Sequence, residues 1–350
     1  MSIRVALTAP YDVHIGHGVR EQLAQQLRIV APQARTAVIV TTSSLRAQPW
    51  FDFTCGVETN VLEIPDGESA KEFSVVEELC REFSILGLSR HDVIVAVGGG
   101  ATTDVVGFAA AIYVRGIAVI HVATSIAGQV DAAIGGKTAI NLSTGKNLVG
   151  AFHQPRAVFC DLDAIATLPE RELCGGMGEV AKVWILERRA VSDLASTSLE
   201  DFVTIAVDYK ARIVAADEFE TSGIRALLNY GHTLGHAVEN LTLAINPTAI
   251  RHGEAVAIGL RFAARLARDL GRCGDGEVAY TDAVVAHFGL SGEMPVPLPV
   301  DDIIAVMARD KKAHHSLTFV LPTDGEFVVV NDVPEDVVRA TYASFTGGAL

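Results

Sequence analysis

The residues best suited to chemistry lie together in one stretch, Arg225-Ala-Leu-Leu-Asn229-Tyr-Gly-His232-Thr-Leu-Gly-His236. Offsets of four, three and four predict that Arg225, Asn229, His232 and His236 share a single stripe of one helix. Gly231 and Gly235 flank the histidines. Glycine costs about 1 kcal/mol relative to alanine inside a helix, so two of them predict close approach by a ligand or another backbone. His252 follows sixteen residues beyond His236, in Arg251-His252-Gly253-Glu254. Upstream, Glu179 and Lys182 stand three apart on a predicted helix and point the same way. Two histidines and one carboxylate are a common catalytic zinc set that leaves a fourth position open, and Glu179, His232 and His252 would supply it. His232 and His236 have the spacing of a zinc protease, but no glutamate follows the first histidine to act as base.

Two further segments suit anions. Gly98-Gly99-Gly100 follows a predicted buried strand and precedes a predicted helix. Such a junction lets a diphosphate approach the backbone at a helix N-terminus. Asp104, expected in the first helical turn, would either favour the helix dipole or meet a cofactor hydroxyl. Residues 131–147 read D-A-A-I-G-G-K-T-A-I-N-L-S-T-G-K-N. They place Asp131, Lys137, Lys146 and Asn147 in a glycine-rich stretch able to wrap a small polyanion.

The elements that must position these groups change character along the chain. Thr36–Thr41, Val61–Ile64, Asp92–Val97 and Ala118–Val122 read as strands, with helical periodicity over Ala70–Leu86 and Thr103–Tyr113. Beyond about Leu168 the pattern is mostly helical. The expectation is an α/β Rossmann-like domain over residues 1–160 and a mostly α-helical domain over 161–350. A length of 350 residues favours two cores over one.

Composition narrows the partners. A formal net charge of −14, without any basic block, argues against nucleic acid and anionic membrane surfaces. No apolar run is long enough to span a bilayer and no leader pattern is evident, so a cytoplasmic location is expected. The five cysteines form no Cys-x-x-Cys pair and read as buried thiols in a reducing compartment. Arginine outnumbers lysine 21 to 7, yet nearly all of the seven lysines (Lys71, Lys137, Lys146, Lys182, Lys210, Lys311 and Lys312) lie in motif-like segments. Lysine is a compact point charge with three donors, a role arginine does not fill.

Assembled in order, these segments resemble the 3-dehydroquinate synthase family of sugar phosphate cyclases. The matching stretches are P-D-G-E-S-A-K (65–71), V-G-G-G-A-T-T-D-V-V-G-F (97–108), Y-V-R-G (113–116) and Q-V-D-A-A-I-G-G-K-T-A-I-N (129–141). G-K-N-L-V-G-A-F-H-Q-P (145–155), E-V-A-K (179–182), the 225–236 stretch, H-G-E-A-V-A (252–257) and D-K-K (310–312) continue the match. The resemblance implies NAD and Zn2+, with Co2+ fitting the same ligands. It assigns zinc to Glu179, His232 and His252. NAD falls to Glu68, Lys71, Gly99, Gly100, Asp104, Thr124, Ser125 and Asp131. A phosphorylated acid falls to Lys137, Lys146, Asn147, Lys182, Lys210, Arg225, Asn229, His236, Lys311 and Lys312. Arg115 matches an arginine that reaches a partner subunit's site, which implies a homodimer. The implied reaction turns 3-deoxy-arabino-heptulosonate 7-phosphate into 3-dehydroquinate and phosphate by transient oxidation, β-elimination, reduction and aldol closure.

The chain departs from the family in three places. It reads V-T-T-S-S (40–44) where an adenosine-binding Asp is usual, and Ala123-Thr124-Ser125 where Pro-Thr-Thr is usual. One extra residue also separates Lys210 from Arg225. An aminodehydroquinate synthase, a cyclase acting on sedoheptulose 7-phosphate, a polyol oxidoreductase of the glycerol dehydrogenase type and a nucleotide-binding scaffold are the alternatives.

Overall fold

The structure, a computed structural model, describes residues 1–246, 248–309 and 317–347. The chain forms two compact units, Met1–Pro169 with Leu199–Phe219, and Glu170–Ser198 with Glu220–Leu350. Where the sequence reading draws one boundary after residue 160, the backbone crosses three times. Residues 161–169 and 199–219 stay with the first unit.

The first unit is built on strands β1 (Ser2–Val5), β2 (Tyr11–Gly16), β3 (Thr36–Thr42), β4 (Glu58–Ile64), β5 (Val93–Gly98) and β6 (Ala118–Ala123). A hairpin of β7 (Lys137–Leu142) and β8 (Gly145–Phe152) precedes the last strand, β9 (Ala157–Asp161). Seven strands form one sheet in the order β1-β2-β9-β6-β5-β3-β4. Within that sheet the β1–β2 pairing is antiparallel and the other described pairings are parallel. Helices α1 (Leu23–Val30), α2 (Ser43–Arg46), α3 (Phe73–Ile85), α4 (Gly100–Ile112) and α5 (Leu162–Ile165) accompany it. After α6 (Glu170–Leu186), which belongs to the second unit, α7 (Leu199–Ala216) returns to pack on β1 and β2.

The central strands are apolar along their whole length because both faces of the sheet are covered. Every residue of β5 is buried. One core places Phe83 and Val106 against Ile94, and the other places Leu23 and Trp50 with Val95 and Phe159. Cys55 and Cys160 are buried as expected, but Cys80, Cys174 and Cys273 are only half-buried, and none is in a disulfide.

In the second unit α6 is joined by α8 (His232–Ile245), α9 (His252–Asp269), α10 (Asp275–His287), α11 (Val300–Arg309) and α12 (Glu335–Phe345), with a hairpin of β10 (Leu317–Thr323) and β11 (Glu326–Val333). Helix α9 is the pivot, packed on α6, α8, α10, α12 and β10. Its glycines make this possible. A β-carbon on Gly253 would strike the Gly175 carbonyl and lie 3.2 Å from the Gly178 nitrogen. One on Gly259 would strike the Gly231 carbonyl and lie 3.0 Å from the Gly235 nitrogen. The predicted close approach at Gly231 and Gly235 is therefore made by another helix backbone.

Three expectations about local structure need correction. The 225–236 stretch is not one helix. Residues Ile224–Asn229 form a short 3-10 turn, Gly231 turns left-handed at φ 79°, and α8 begins at His232. The glycine breaks the helix because the chain must bend to bring its carbonyl against α9. Helix α4 starts three residues earlier than predicted, so Asp104 lies in its second turn, away from the amide dipole. The 131–147 stretch, expected as a glycine-rich wrap for an anion, is largely the β7–β8 hairpin, since alternating residues of β7 bury against α4.

Candidate functional site

The second unit gathers Glu179, His232, His236 and His252 from α6, α8 and α9. Glu179 is 1% exposed, in a wall of buried α6 residues. Its Oε1 lies 3.2 Å from His232 Nε2 and 3.2 Å from His252 Nε2. Its Oε2 lies 2.5 Å from the Lys182 ammonium, which also donates to the Leu228 carbonyl at 2.9 Å. The ligand-capable atoms of His232, His236 and His252 all fall within 4.8 Å of one another.

The far side of two imidazoles is occupied. His232 Nδ1 is 3.1 Å from the Tyr230 carbonyl, and His252 Nδ1 is 2.9 Å from Glu239 Oε2. Nδ1 of His232 must donate to a carbonyl, which leaves its Nε2 with a lone pair facing Glu179.

Electrostatics follow from this packing. Burial would raise the Glu179 carboxyl, but the Lys182 charge and the two imidazoles hold it well below the usual range. Burial and the Lys182 charge push His232 down to about 4. Burial would also lower His252, but its bonds to Glu179 and Glu239 outweigh that and raise it to about 10.

Zinc or cobalt fits this donor set. Ligand bonds of about 2.0–2.1 Å in a tetrahedron set donor atoms roughly 3.3 Å apart. The two Glu179–histidine separations of 3.2 Å are of that size. His236, assigned by resemblance to substrate, is close enough to the other imidazoles to compete for a coordination position.

Arg225 and Asn229 precede this cluster on the 3-10 turn, and Arg225 is 2% exposed. A guanidinium that deep in the unit needs anionic or carbonyl company. Lys311 and Lys312 lie outside the described residues.

In the first unit the cofactor candidates converge on the β5–α4 junction. Gly99 is extended rather than left-handed, so its need is for space. A β-carbon there would be 3.1 Å from Ser125 Oγ, and one on Gly100 would be 3.1 Å from the Ala132 β-carbon. The α4 N-terminus thus offers bare backbone amides, which fits a diphosphate. The Thr124 amide donates to the Gly98 carbonyl at 3.0 Å, fixing the neighbouring strand end.

Asp104 is 2.5 Å from Lys71, and Lys71 also donates to Asn147 Oδ1 at 2.5 Å. Burial raises the Asp104 carboxyl to about 6, even against the Lys71 charge. Glu68 accepts from Asn141 Nδ2 at 2.6 Å, and Asn141 Oδ1 accepts the Asn147 amide at 2.9 Å. Lys210 on α7 donates to Asp131 Oδ1 at 2.5 Å. Asn147 and Lys210, expected among substrate groups, are therefore bonded to cofactor candidates. Lys137 opens β7 with an exposed side chain, and Lys146 sits in β8, partly exposed. Arg115 is exposed in a strained turn, with Val114 and Arg115 at φ 45° and 65°.

Sequence reasoning missed three residues. Asn141 lies inside a quoted segment, but its link between Glu68 and Asn147 needs the hairpin. Tyr230 acts through its carbonyl, which no side-chain pattern reveals. Glu239 follows His236 by three residues, so helical spacing does carry a signal for it.

Comparison with known proteins is consistent across the chain. The family models described as 3-dehydroquinate synthase N-terminal and 3-dehydroquinate synthase C-terminal match residues 61–175 and 176–313. A protein of Amycolatopsis mediterranei (strain S699) named "Putative aminodehydroquinate synthase" is 50% identical over 328 residues, covering 94% of this chain and 90% of its own. The 3-dehydroquinate synthase of Mycobacterium leprae (strain TN) is 39% identical over 342 residues, covering 93% of this chain and 91% of its own. A crystal structure of 2-deoxy-scyllo-inosose synthase complexed with carbaglucose-6-phosphate, NAD+ and Co2+ superposes with a TM-score of 0.82 at 25% identity, covering 99% of this chain and 100% of that one.

Proposed function

Because the chain belongs to the 3-dehydroquinate synthase family, we propose that it is a phosphate-eliminating cyclase that converts 3-deoxy-arabino-heptulosonate 7-phosphate into 3-dehydroquinate. The observation that carries this reading is the buried Glu179–His232–His252 cluster with Lys182 against it. A nucleotide-binding scaffold has no use for a buried carboxylate facing two oriented imidazoles and an ammonium. Bound NAD would supply reversible hydride transfer, and a bound zinc or cobalt ion would polarise the reacting hydroxyl and carbonyl oxygens.

This chain's own residues would do the rest. Glu179, His232 and His252 would hold the metal. Arg225 suits a carboxylate, since its planar guanidinium can pair both oxygens, and Asn229 adds an amide donor beside it. Lys137, Lys146 and Lys182, with Lys210, Lys311 and Lys312, supply point charges for a phosphate dianion that a −14 protein would otherwise repel, and His236 adds a ring nitrogen to the set. Oxidation at C5 makes the C6 proton acidic. Its transfer to the departing phosphate would complete the β-elimination, return of the hydride to C5 would restore the hydroxyl, and the opened ring would close by an aldol step. Gly99, Gly100, Thr124 and Ser125 would cradle the NAD diphosphate, with Glu68, Lys71, Asp104 and Asp131 around it. The functional unit in this reading is a homodimer in which Arg115 reaches the partner's site.

A second reading, aminodehydroquinate synthesis from the 4-amino analogue, is favoured by one observation. The relative bearing that name is 50% identical, against 39% for the 3-dehydroquinate synthase of M. leprae. Phosphate release measured with the heptulosonate phosphate, its 4-amino analogue and sedoheptulose 7-phosphate separates the readings. The first substrate should turn over without net NADH accumulation. Preference for the amino analogue would install the second reading, and steady NADH formation from simple polyols would overturn both.

A further inference from the structure

Helix α8 adds to the cluster an acidic group besides Glu179 of α6, one that the family assignment leaves without a role. Glu239 is 8% exposed, three residues beyond His236 and seven beyond His232, and so lies on the histidine face. Its Oε2 is 2.9 Å from His252 Nδ1. A carboxylate taken out of water costs several kcal/mol unless it is well paired, so its place here calls for a reason.

The geometry supplies one. His252 stands at the N-terminus of α9, a helix held against α6 and α8 through glycines, but its ring can still rotate about its own side-chain torsions. The Glu239 carboxylate stops that rotation on one side and leaves Nε2 pointing at Glu179 Oε1, 3.2 Å away. His232 is handled in parallel by the Tyr230 carbonyl on its Nδ1 at 3.1 Å. Both imidazoles thus turn the same nitrogen to the same carboxylate oxygen, one through a neutral acceptor and the other through an anionic one. The anionic partner does more than orient: it makes the opposite nitrogen a better electron-pair donor.

We propose that Glu239 is a positioning residue for the metal centre, acting through His252 to set its tautomer, ring orientation and donor strength. This rests on the reading of Glu179, His232 and His252 as metal ligands. The alternative role for Glu239 is a plain brace between α8 and α9.

Metal binding by stripped protein separates these. Zn2+ affinity would be measured by competition with a chromophoric chelator, and Co2+ coordination by its visible absorption, for the wild type, Glu239→Gln and Glu239→Ala. Loss of such an outer carboxylate typically weakens metal binding about 10–100-fold. Glutamine keeps the shape and an acceptor oxygen but loses the charge, so E239Q should bind about 10-fold more weakly. E239A should fall toward 100-fold, with an altered Co2+ spectrum. Equal affinity of E239Q and wild type overturns the proposal and leaves a brace; this comparison decides even where E239A does not fold. Failure of the wild type to take up one metal ion per chain overturns the underlying metal reading as well.

Discussion

Removing the charge of Glu179 tests the buried ion pair and the metal centre together. Glu179 and Lys182 are 2.5 Å apart, with each side chain 2% exposed. In Glu179→Gln the Lys182 ammonium keeps the Leu228 carbonyl but faces no carboxylate at its tip. An uncompensated charge at that depth costs about 3–5 kcal/mol. Lys182→Met should cost less, because two imidazoles still face Glu179. The double variant removes both charges and should be scarcely worse than Lys182→Met, giving a coupling close to the whole Glu179→Gln cost, about 3–5 kcal/mol.

The chain has two tryptophans, and they divide the readout: Trp50 lies in the first unit, and Trp184, 1% exposed on α6, in the second. In a Trp50→Phe background, urea unfolding followed by Trp184 fluorescence in the presence of chelator reports on the unit that holds the pair. Added Zn2+ should stabilise the parent by up to about 4 kcal/mol at a thousandfold excess over Kd, and Glu179→Gln far less. Additive single losses, or a cost below about 1 kcal/mol for Glu179→Gln, would refute the argument that Glu179 is held in place by its charge.

Other outcomes follow from particular contacts. Gly253→Ala should cost at least about 2 kcal/mol and weaken Zn2+ binding, since its methyl group strikes the Gly175 carbonyl and shifts His252; calorimetry with metal titration checks both. The Asp104 carboxyl, raised by burial to about 6 from 3.8, holds its proton more tightly in the folded state. Stability from this group is therefore full below about pH 4 and lost as pH rises through about 6, by roughly 3 kcal/mol, and Asp104→Asn should flatten that part of the stability profile. Exhaustive chelation should abolish phosphate release, and Zn2+ or Co2+ should restore it; release that survives metal removal would exclude a metal role. Arg225→Lys should raise KM for the heptulosonate phosphate more than it lowers kcat, because an ammonium cannot pair both carboxylate oxygens at once, and steady-state kinetics would show it.

Much of this was already legible in the linear chain. The alternation of β-branched runs with helical periods identifies the first unit, because strands buried on both faces must be apolar throughout, as β5 is. Glu179 with Lys182, and His232 with His236, could be singled out because spacing along a helix is a local property, His252 by its own His-Gly-Glu motif, and the contrast between seven lysines and 21 arginines is equally local. The hairpin at 137–152, the left-handed break at Gly231 and the return of α7 to the first unit were not legible, since each answers to a neighbour distant in sequence.

The residue types and their order thus determined the family and most of the candidate set. Tertiary structure decided the pairings. It set Lys210 on Asp131 and Asn147 on Lys71, made Tyr230 act through its carbonyl, and placed Glu239 behind His252. The physical reason is that a helix fixes which side chains share a face. Only the packing of α9 on α6 and α8, glycine against backbone, fixes which faces meet.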